Sequence, residues 1–278
     1  MENAFTVDVE EWFHICGVGE AFGGEENWTE LPSRVVETTK RLLELLDRRD
    51  VLATFFVLGW VANRYPHLVA HIRSAGHEVA SHGYGHRRVY ELRPQEFAKD
   101  LDRSLQALSL AGAKPVLGYR APEWSINDRS LWALEILARR GFRYDSSMAP
   151  LRLIGNPSYS EIPHYKSTPS GEIVEFPPLV GRRLGQNYPL GGGWGLRMHS
   201  VRTVLRRIEE RNNRGLPVAL FVHPWELDPD PPRVRLPLGH RFAHYFRLDG
   251  FAKRLDEILA GAAFAPLSAV LKLECPAA

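Results

Sequence analysis

The segment Ser81-His82-Gly83-Tyr84-Gly85-His86 sets two imidazoles four residues apart. On one helical turn that spacing projects both side chains from the same face, so both can reach a single ion. An arbitrary pair of histidines is more often exposed or hydrogen-bonded within the fold. Here the pair follows an apolar strand pattern directly, and two glycines give the backbone room to curl, which favours metal ligation. Two imidazoles need a third ligand, commonly a carboxylate, and an open position for water or substrate. Asp8-Val9-Glu10-Glu11 supplies candidates. Side chains alternate along a strand, so Asp8 and Glu10 share a face while Glu11 points away. One of the shared pair can hold the ion while the other stays free as a general base.

Gly118-Tyr119-Arg120-Ala121-Pro122-Glu123-Trp124 combines a cation, a rigid turn and an aromatic. A guanidinium near Asp8 would lower that carboxylate's pKa and fix its orientation, although Arg-x-Pro alone also suits a surface turn. Leu220-Phe221-Val222-His223-Pro224-Trp225 puts one histidine after a very apolar strand. A lone histidine there is often a satisfied core residue. Its place in line with other strand-end residues makes it a general-acid candidate.

These residues need a scaffold. Short β-branched or aromatic runs alternate with amphipathic helical patterns, which predicts an α/β fold with a largely parallel sheet. Strands are expected at Phe5–Val9, Ala53–Val57, Glu78–Ala80, Val116–Tyr119, Phe142–Tyr144, Ile173–Phe176 and Val218–Val222, with a final one near Pro266–Ser268. Helical patterns carry Leu42, Leu43, Leu45 and Leu46, then Pro66–Ser74, Pro94–Ala111, Asn127–Arg140, Val201–Arg214 and Asp249–Leu259. The Gly-, Pro- and Ser-rich stretch Pro177–Ser200 reads as a long functional loop. Asp8, Glu10, His82, Arg120, Asp145 and His223 all follow strand ends, the layout of a barrel active site. A Gly-rich turn after the first strand, which a dinucleotide-binding sheet would use, is absent. The expectation is a distorted (β/α)7-8 barrel over residues 1–225 with a short C-terminal extension, 226–278, packed on the same domain.

At 278 residues and 44% hydrophobic content the chain can bury a large core, and a formal net charge of +2 gives no reason to expect a nucleic-acid partner. Cys16 and Cys275 have neither metal-like spacing nor a framework, so they suggest no disulfide. The opening residues lack a basic region followed by an apolar run, which predicts a cytoplasmic protein. The longest apolar stretch, Val51–Ala62, is too short for a membrane span. Oligomeric state is not legible.

Together the motifs resemble the NodB-homology polysaccharide deacetylases, carbohydrate esterase family 4. That family carries an acidic first motif, His-x-x-x-His, Arg-x-Pro and a late Leu-x-His. Here Asp8 with Glu10, His82 with His86, Arg120-Ala121-Pro122 and His223 stand in that order. Val7–Glu10, Ser81–His86, Tyr119–Pro122 and His223–Glu226 look most like the subgroup found with exosortase-type exopolysaccharide clusters. The resemblance implies a NodB-type barrel that removes N-acetyl groups from an amino-sugar polysaccharide or oligosaccharide. It also implies a divalent metal, zinc first and cobalt or nickel as alternatives that N and O ligands accept. The base role passes to Asp8, and Glu10 becomes the metal carboxylate by the strand-face argument, with Glu11 the competing choice. Two departures matter: the usual adjacent Asp-Asp is absent, and the fourth motif is unrecognisable. Asp145 in Tyr144-Asp145-Ser146-Ser147 is the candidate to orient His223, and a backbone N–H near Tyr144 is the candidate oxyanion donor. Tyr144, Glu123, Trp124, Trp194 and Trp225 are candidates to line the sugar pocket, with core packing an equal reading for each tryptophan.

Three other functions compete. A glycoside hydrolase would use paired carboxylates but leave the histidines idle. A metal-independent amidase on the same fold conflicts with the intact histidine pair. A silent carbohydrate-binding relative conflicts with base, ligands and acid all being retained.

Overall fold

A computed structural model describes residues 1–14, 18, 22, 24–152 and 154–273; Cys16 and Cys275 lie outside the described residues. The strands are β1 (Asn3–Val9), β2 (Thr54–Val57), β3 (Glu78–Ser81), β4 (Gly118–Tyr119), β5 (Tyr144–Asp145), β6 (His164–Thr168), β7 (Gly171–Glu175), β8 (Val180–Arg183), β9 (Gln186–Pro189), β10 (Ala219–Val222) and β11 (Phe264–Ala265). The main sheet runs β10-β1-β2-β3-β4-β5-β7-β6, with β11 also paired to β1. Within this sheet the pairings among the described residues are parallel except β6 with β7.

The sheet curls into a half-barrel and does not close by a direct pairing of its edge strands among the described residues. Instead the chain after β7 turns back to β10. Leu179 N–H donates to the Ala219 carbonyl at 3.0 Å, and Phe221 N–H donates to Gly191 at 2.9 Å. The stretch read as one long loop, Pro177–Ser200, therefore contains the β8–β9 hairpin and a short helix, Trp194–Met198. Gly181 permits that hairpin's tight packing, because a Cβ there would stand 2.1 Å from Tyr188 Cζ. Residues beyond 225 join the same sheet through β11, and a helix, Leu238–Tyr245, forms ahead of the one expected at Asp249–Leu259.

Strand alternation divides the core in two. Ala4, Phe56, Ala80, Tyr144, Val174 and Ala219 pack together inside the curl. Phe5, Val7, Val9, Phe55 and Val57 face outward and pack with Leu42, Leu45 and Leu46 of the helix Val35–Arg48. Burying a side chain such as Leu or Phe contributes ~1.5–3 kcal/mol, so this two-sided apolar pattern fixes each strand's facing. Thr6 and Asp8 share the inward face with Ala4 and continue it toward the C-terminal strand ends. No helix among the described residues is long and apolar enough to cross a membrane.

Candidate active site

Glu10, just past the end of β1, meets His82 and His86, which follow β3. His86 Nε2 lies 2.5 Å from Glu10 Oε2, and His82 Nε2 lies 3.8 Å from the same oxygen. One ligand atom from each of the three side chains falls within 4.8 Å of the others, the spacing of a metal-binding set. The two histidines do not sit on a helical turn, as their spacing suggested. The segment is a loop in which Gly83 (φ +74°) and His86 (φ +50°) take left-handed conformations, and this curl turns both rings to one point. Burial opposes the charge on Glu10, but His86, His82 and His223 outweigh it and hold its carboxyl well below the usual range.

Glu11 is excluded from this cluster by its own hydrogen bonds. Its carboxylate accepts from the Ser33 hydroxyl and from Arg34 N–H at 3.2 and 3.0 Å, at the start of the helix Val35–Arg48. A carboxylate at that position satisfies orphan amides and complements the helix dipole.

Arg120 follows β4 and is fully buried. Its guanidinium donates to Asp8 Oδ1 at 2.7 Å, to Thr6 Oγ1 at 2.8 Å, and to the Ser146 carbonyl and hydroxyl at 3.1 and 2.9 Å. The Phe56 and Trp124 rings flank it at 4.2 and 4.6 Å. Trp124 is thus buried against Arg120 and does not present a free face to a sugar. Glu123 is ion-paired with Arg88 at 2.6 Å.

His223, after β10, points Nε2 toward both acids, 3.9 Å from Asp8 Oδ2 and 3.7 Å from Glu10 Oε1. Burial disfavours its protonated form, but Glu226, Glu10 and Asp8 more than compensate and raise it to about 9. Trp225 stacks on it at 5.2 Å and donates from Nε1 to Glu10 Oε1 at 3.3 Å. Gly193, directly before Trp194, sits against the ring; a Cβ there would be 4.0 Å from His223 Cε1. Trp194 itself is half-buried.

Three expectations are corrected here. The carboxylate at His223 Nδ1 is Glu226, at 3.1 Å, and not Asp145. Asp145 alternates with the inward Tyr144 and so faces the outer layer, where it binds the Ser147 hydroxyl and lies opposite Glu175 in register. Tyr144 is also misplaced for a substrate. Its ring lies under Gly118 and its hydroxyl reaches Glu78 at the start of β3, at the end of the sheet away from the site. The nearby amides are occupied too: Tyr144 N–H donates to Leu117, Ser146 N–H to Tyr119 and Met148 N–H to Glu175. None of these three amides is free to serve as an oxyanion donor.

Sequence reasoning missed two neighbours of the site, Glu226 and His14. Glu226 was visible as the fourth residue of His223-Pro224-Trp225-Glu226, and its spacing puts its carboxylate back at the histidine. Trp225, a sugar-pocket or core candidate in the sequence, is buried and bridges His223 and Glu10. His14 is buried, accepts from Glu11 N–H at 3.1 Å and stacks on His86 at 5.8 Å, while its Nε2 has no partner among the described residues. Burial first, then the neighbouring His86, holds it well below the usual imidazole range.

Residues 29–144 match the family model described as polysaccharide deacetylase, and residues 146–272 match one described as a domain of unknown function, DUF3473. A peptidoglycan deacetylase-like protein of Gibberella zeae is 38% identical over 112 residues, 39% of this chain and 32% of that protein. A peptidoglycan deacetylase of Helicobacter pylori is 27% identical over 148 residues, 52% of this chain and 48% of that protein. The chain thus spans about a third to a half of the length of the curated relatives it matches. Among solved structures, a candidate polysaccharide deacetylase from Mycobacterium smegmatis has the same fold, with a TM-score of 0.65 at 24% identity over 97% of this chain and 88% of that one. The two family models divide the site between them. His82, His86 and Arg120 lie in the first matched segment and His223 in the second, while Asp8 and Glu10 precede both.

Proposed function

We propose, from the match of residues 29–144 to the polysaccharide deacetylase family model, that the chain is a metal-dependent hydrolase that removes N-acetyl groups from an amino-sugar polymer or oligosaccharide. The observation that carries the reading is the convergence of Glu10, His82 and His86 on one point, with Asp8 and His223 beside it. The donor set fits a divalent ion, zinc first: two imidazoles and a carboxylate, with Glu10 and His82 buried and His86 partly so, and with the His82 lone pair on Nε2 facing the cluster. Bound there, the ion would supply Lewis acidity toward the acetamide carbonyl and the attacking water.

The chain's own residues do the proton work. Asp8, gripped by Arg120, takes a proton from water as that water adds to the acetyl carbon. His223 carries its proton on Nε2 and gives it to the departing sugar nitrogen, so amide plus water becomes acetate plus amine. Trp225 keeps His223 and Glu10 in fixed relation, since it stacks on one and donates to the other. Trp194, half-buried next to Gly193, is the sugar-lining candidate that the geometry favours most. The relatives named as peptidoglycan deacetylases point to an N-acetylated amino-sugar polymer as substrate, and an exopolysaccharide under construction is the version of it that the motif resemblance suggests.

Acetate release from N-acetylglucosamine oligomers tests this. The expected result is release that a chelator abolishes and added zinc restores. Release that survives the chelator would point to a metal-independent amidase. Shortened oligomers without acetate would point to a glycosidase.

A further inference from the structure

The segment matched only by a domain of unknown function contains a buried charge chain that ends on His223. Glu226 is fully buried. Its Oε2 accepts from the His223 backbone N–H at 3.0 Å and lies 3.1 Å from Nδ1 of the same ring. Its Oε1 accepts from Arg197 Nε at 2.9 Å. Arg197, only 1% exposed, lies on the helix Trp194–Met198. It reaches on through Nη1 to the main-chain carbonyls of His244, at 3.3 Å, and Phe246, at 2.6 Å. The Glu226 carboxylate and the stretch around residue 245 therefore meet at one guanidinium, that of Arg197.

An ion pair of this kind is poorly explained as a stability device. Taking two charges out of water is costly, and apolar residues of similar volume often do as well or better. It is well explained by what the carboxylate does to the ring. A carboxylate at Nδ1 fixes the proton there and sets the ring plane, as the outer partners of ligating and catalytic histidines do. With Nδ1 so held, Nε2 faces Asp8 and Glu10. Asp145, the acid that the sequence offers for this task, faces the outer layer and is not placed to perform it.

We propose that Arg197 and Glu226 are a positioning pair for His223, and that furnishing His223 already oriented is the contribution of residues 146–272 to the reaction. This rests on the deacetylase reading above. Arg197 anchors the carboxylate to the backbone, Glu226 holds the ring, and neither touches substrate. The 29–144 segment, together with Asp8 and Glu10 ahead of it, binds and polarises; the 146–272 segment protonates the leaving group.

The test uses the full chain loaded with zinc, as wild type, Glu226→Gln, His223→Ala and the double variant, assayed for bound metal and for kcat and KM with N-acetylglucosamine oligomers. Glu226→Gln keeps the side chain's shape and is expected to lower kcat ~10–100-fold, with KM and metal content unchanged. In the His223→Ala background the same change should cost nothing further, because the pair acts only through that ring. Independent, multiplicative losses would overturn the proposal, as would a Glu226→Gln kcat within about twofold of wild type. A readout without turnover stands beside these. In 15N-histidine-labelled protein, the His223 ring signals, identified by their loss in His223→Ala, should move in Glu226→Gln; unmoved signals overturn the pairing. Should Glu226→Gln not fold, Arg197→Lys carries the same two readouts with a cation retained. A wild type that releases no acetate would sink the deacetylase reading, while the ring signals still decide whether Glu226 holds His223.

Discussion

Nδ1 of His82 lies 2.8 Å from the main-chain oxygen of Arg120. A carbonyl can only accept, so Nδ1 carries the proton and the Nε2 lone pair is left facing Glu10. The guanidinium of the same Arg120 grips Asp8. One residue thus sets the tautomer of a proposed ligand through its backbone and the orientation of the proposed base through its side chain.

Replacing Arg120 with lysine keeps the charge and loses the fork. Four hydrogen bonds converge on the guanidinium in a fully buried setting, and a lysine ammonium cannot reproduce that geometry. Arg120→Lys is expected to lower unfolding stability by about 3 kcal/mol, in the range for a broken buried pair, and to reduce kcat as well. Denaturant unfolding and acetate release check both. Full stability would show that the network does not hold the site.

Asp8→Asn leaves Glu10, His82 and His86 untouched. The variant should retain metal and lose turnover ~10²–10⁴-fold, the usual contribution of a positioned acid or base. His223→Ala should behave in the same way. Metal lost from Asp8→Asn would make Asp8 a ligand and overturn the division of roles.

Much of this was readable from residue types. Asp8, Glu10, His82, His86, Arg120 and His223, which the structure brings together, stand out in the sequence because a strand-end position in a parallel sheet is predictable from apolar runs. The errors came from contacts that only the third dimension supplies. Tyr144 and Asp145 are site candidates in the sequence because the first ends a predicted strand and the second follows it, but alternation sends one toward the base of the curl and the other outward. The tryptophans could not be told apart in sequence: Trp124 packs on Arg120 and Trp225 on His223, while Trp194 remains partly open. The hairpin of β8 and β9 escaped notice because Gly181, Gly185 and Pro189 read as loop punctuation.

Gly118 should not tolerate a side chain. A Cβ there would stand 1.9 Å from Tyr144 Cζ, and Tyr144 is held from below by Glu78. Gly118→Ala is expected to destabilise the fold by ~1–3 kcal/mol or more, as overpacking does, seen as a lowered thermal midpoint. An unchanged midpoint would mean that the Tyr144 ring can move aside.

Asp145 and Glu175 face one another in a fully buried setting. Burial, the main cause, raises Asp145 to about 6 and pushes Glu175 well above the carboxylate range. Oδ2 of one and Oε2 of the other have no hydrogen-bond partner among the described residues, so a proton held between them is favoured. Groups raised in the folded state contribute stability that is complete below the unfolded carboxylate range, ~4, and is lost as pH rises through the folded value. Glu175→Gln should therefore gain on the order of 2 kcal/mol over wild type at pH 8 and nothing at pH 4. Melting curves at the two pH values measure it, and an equal gain at both would contradict the shared proton.

The most direct test of the central claim is metal content. Wild type, His82→Ala and His86→Ala, each dialysed against zinc and then against metal-free buffer, are analysed for bound metal per chain. Wild type is predicted to retain about one equivalent and each variant almost none. Equal retention in all three would show that Glu10, His82 and His86 do not hold the ion, and the account would fail with them.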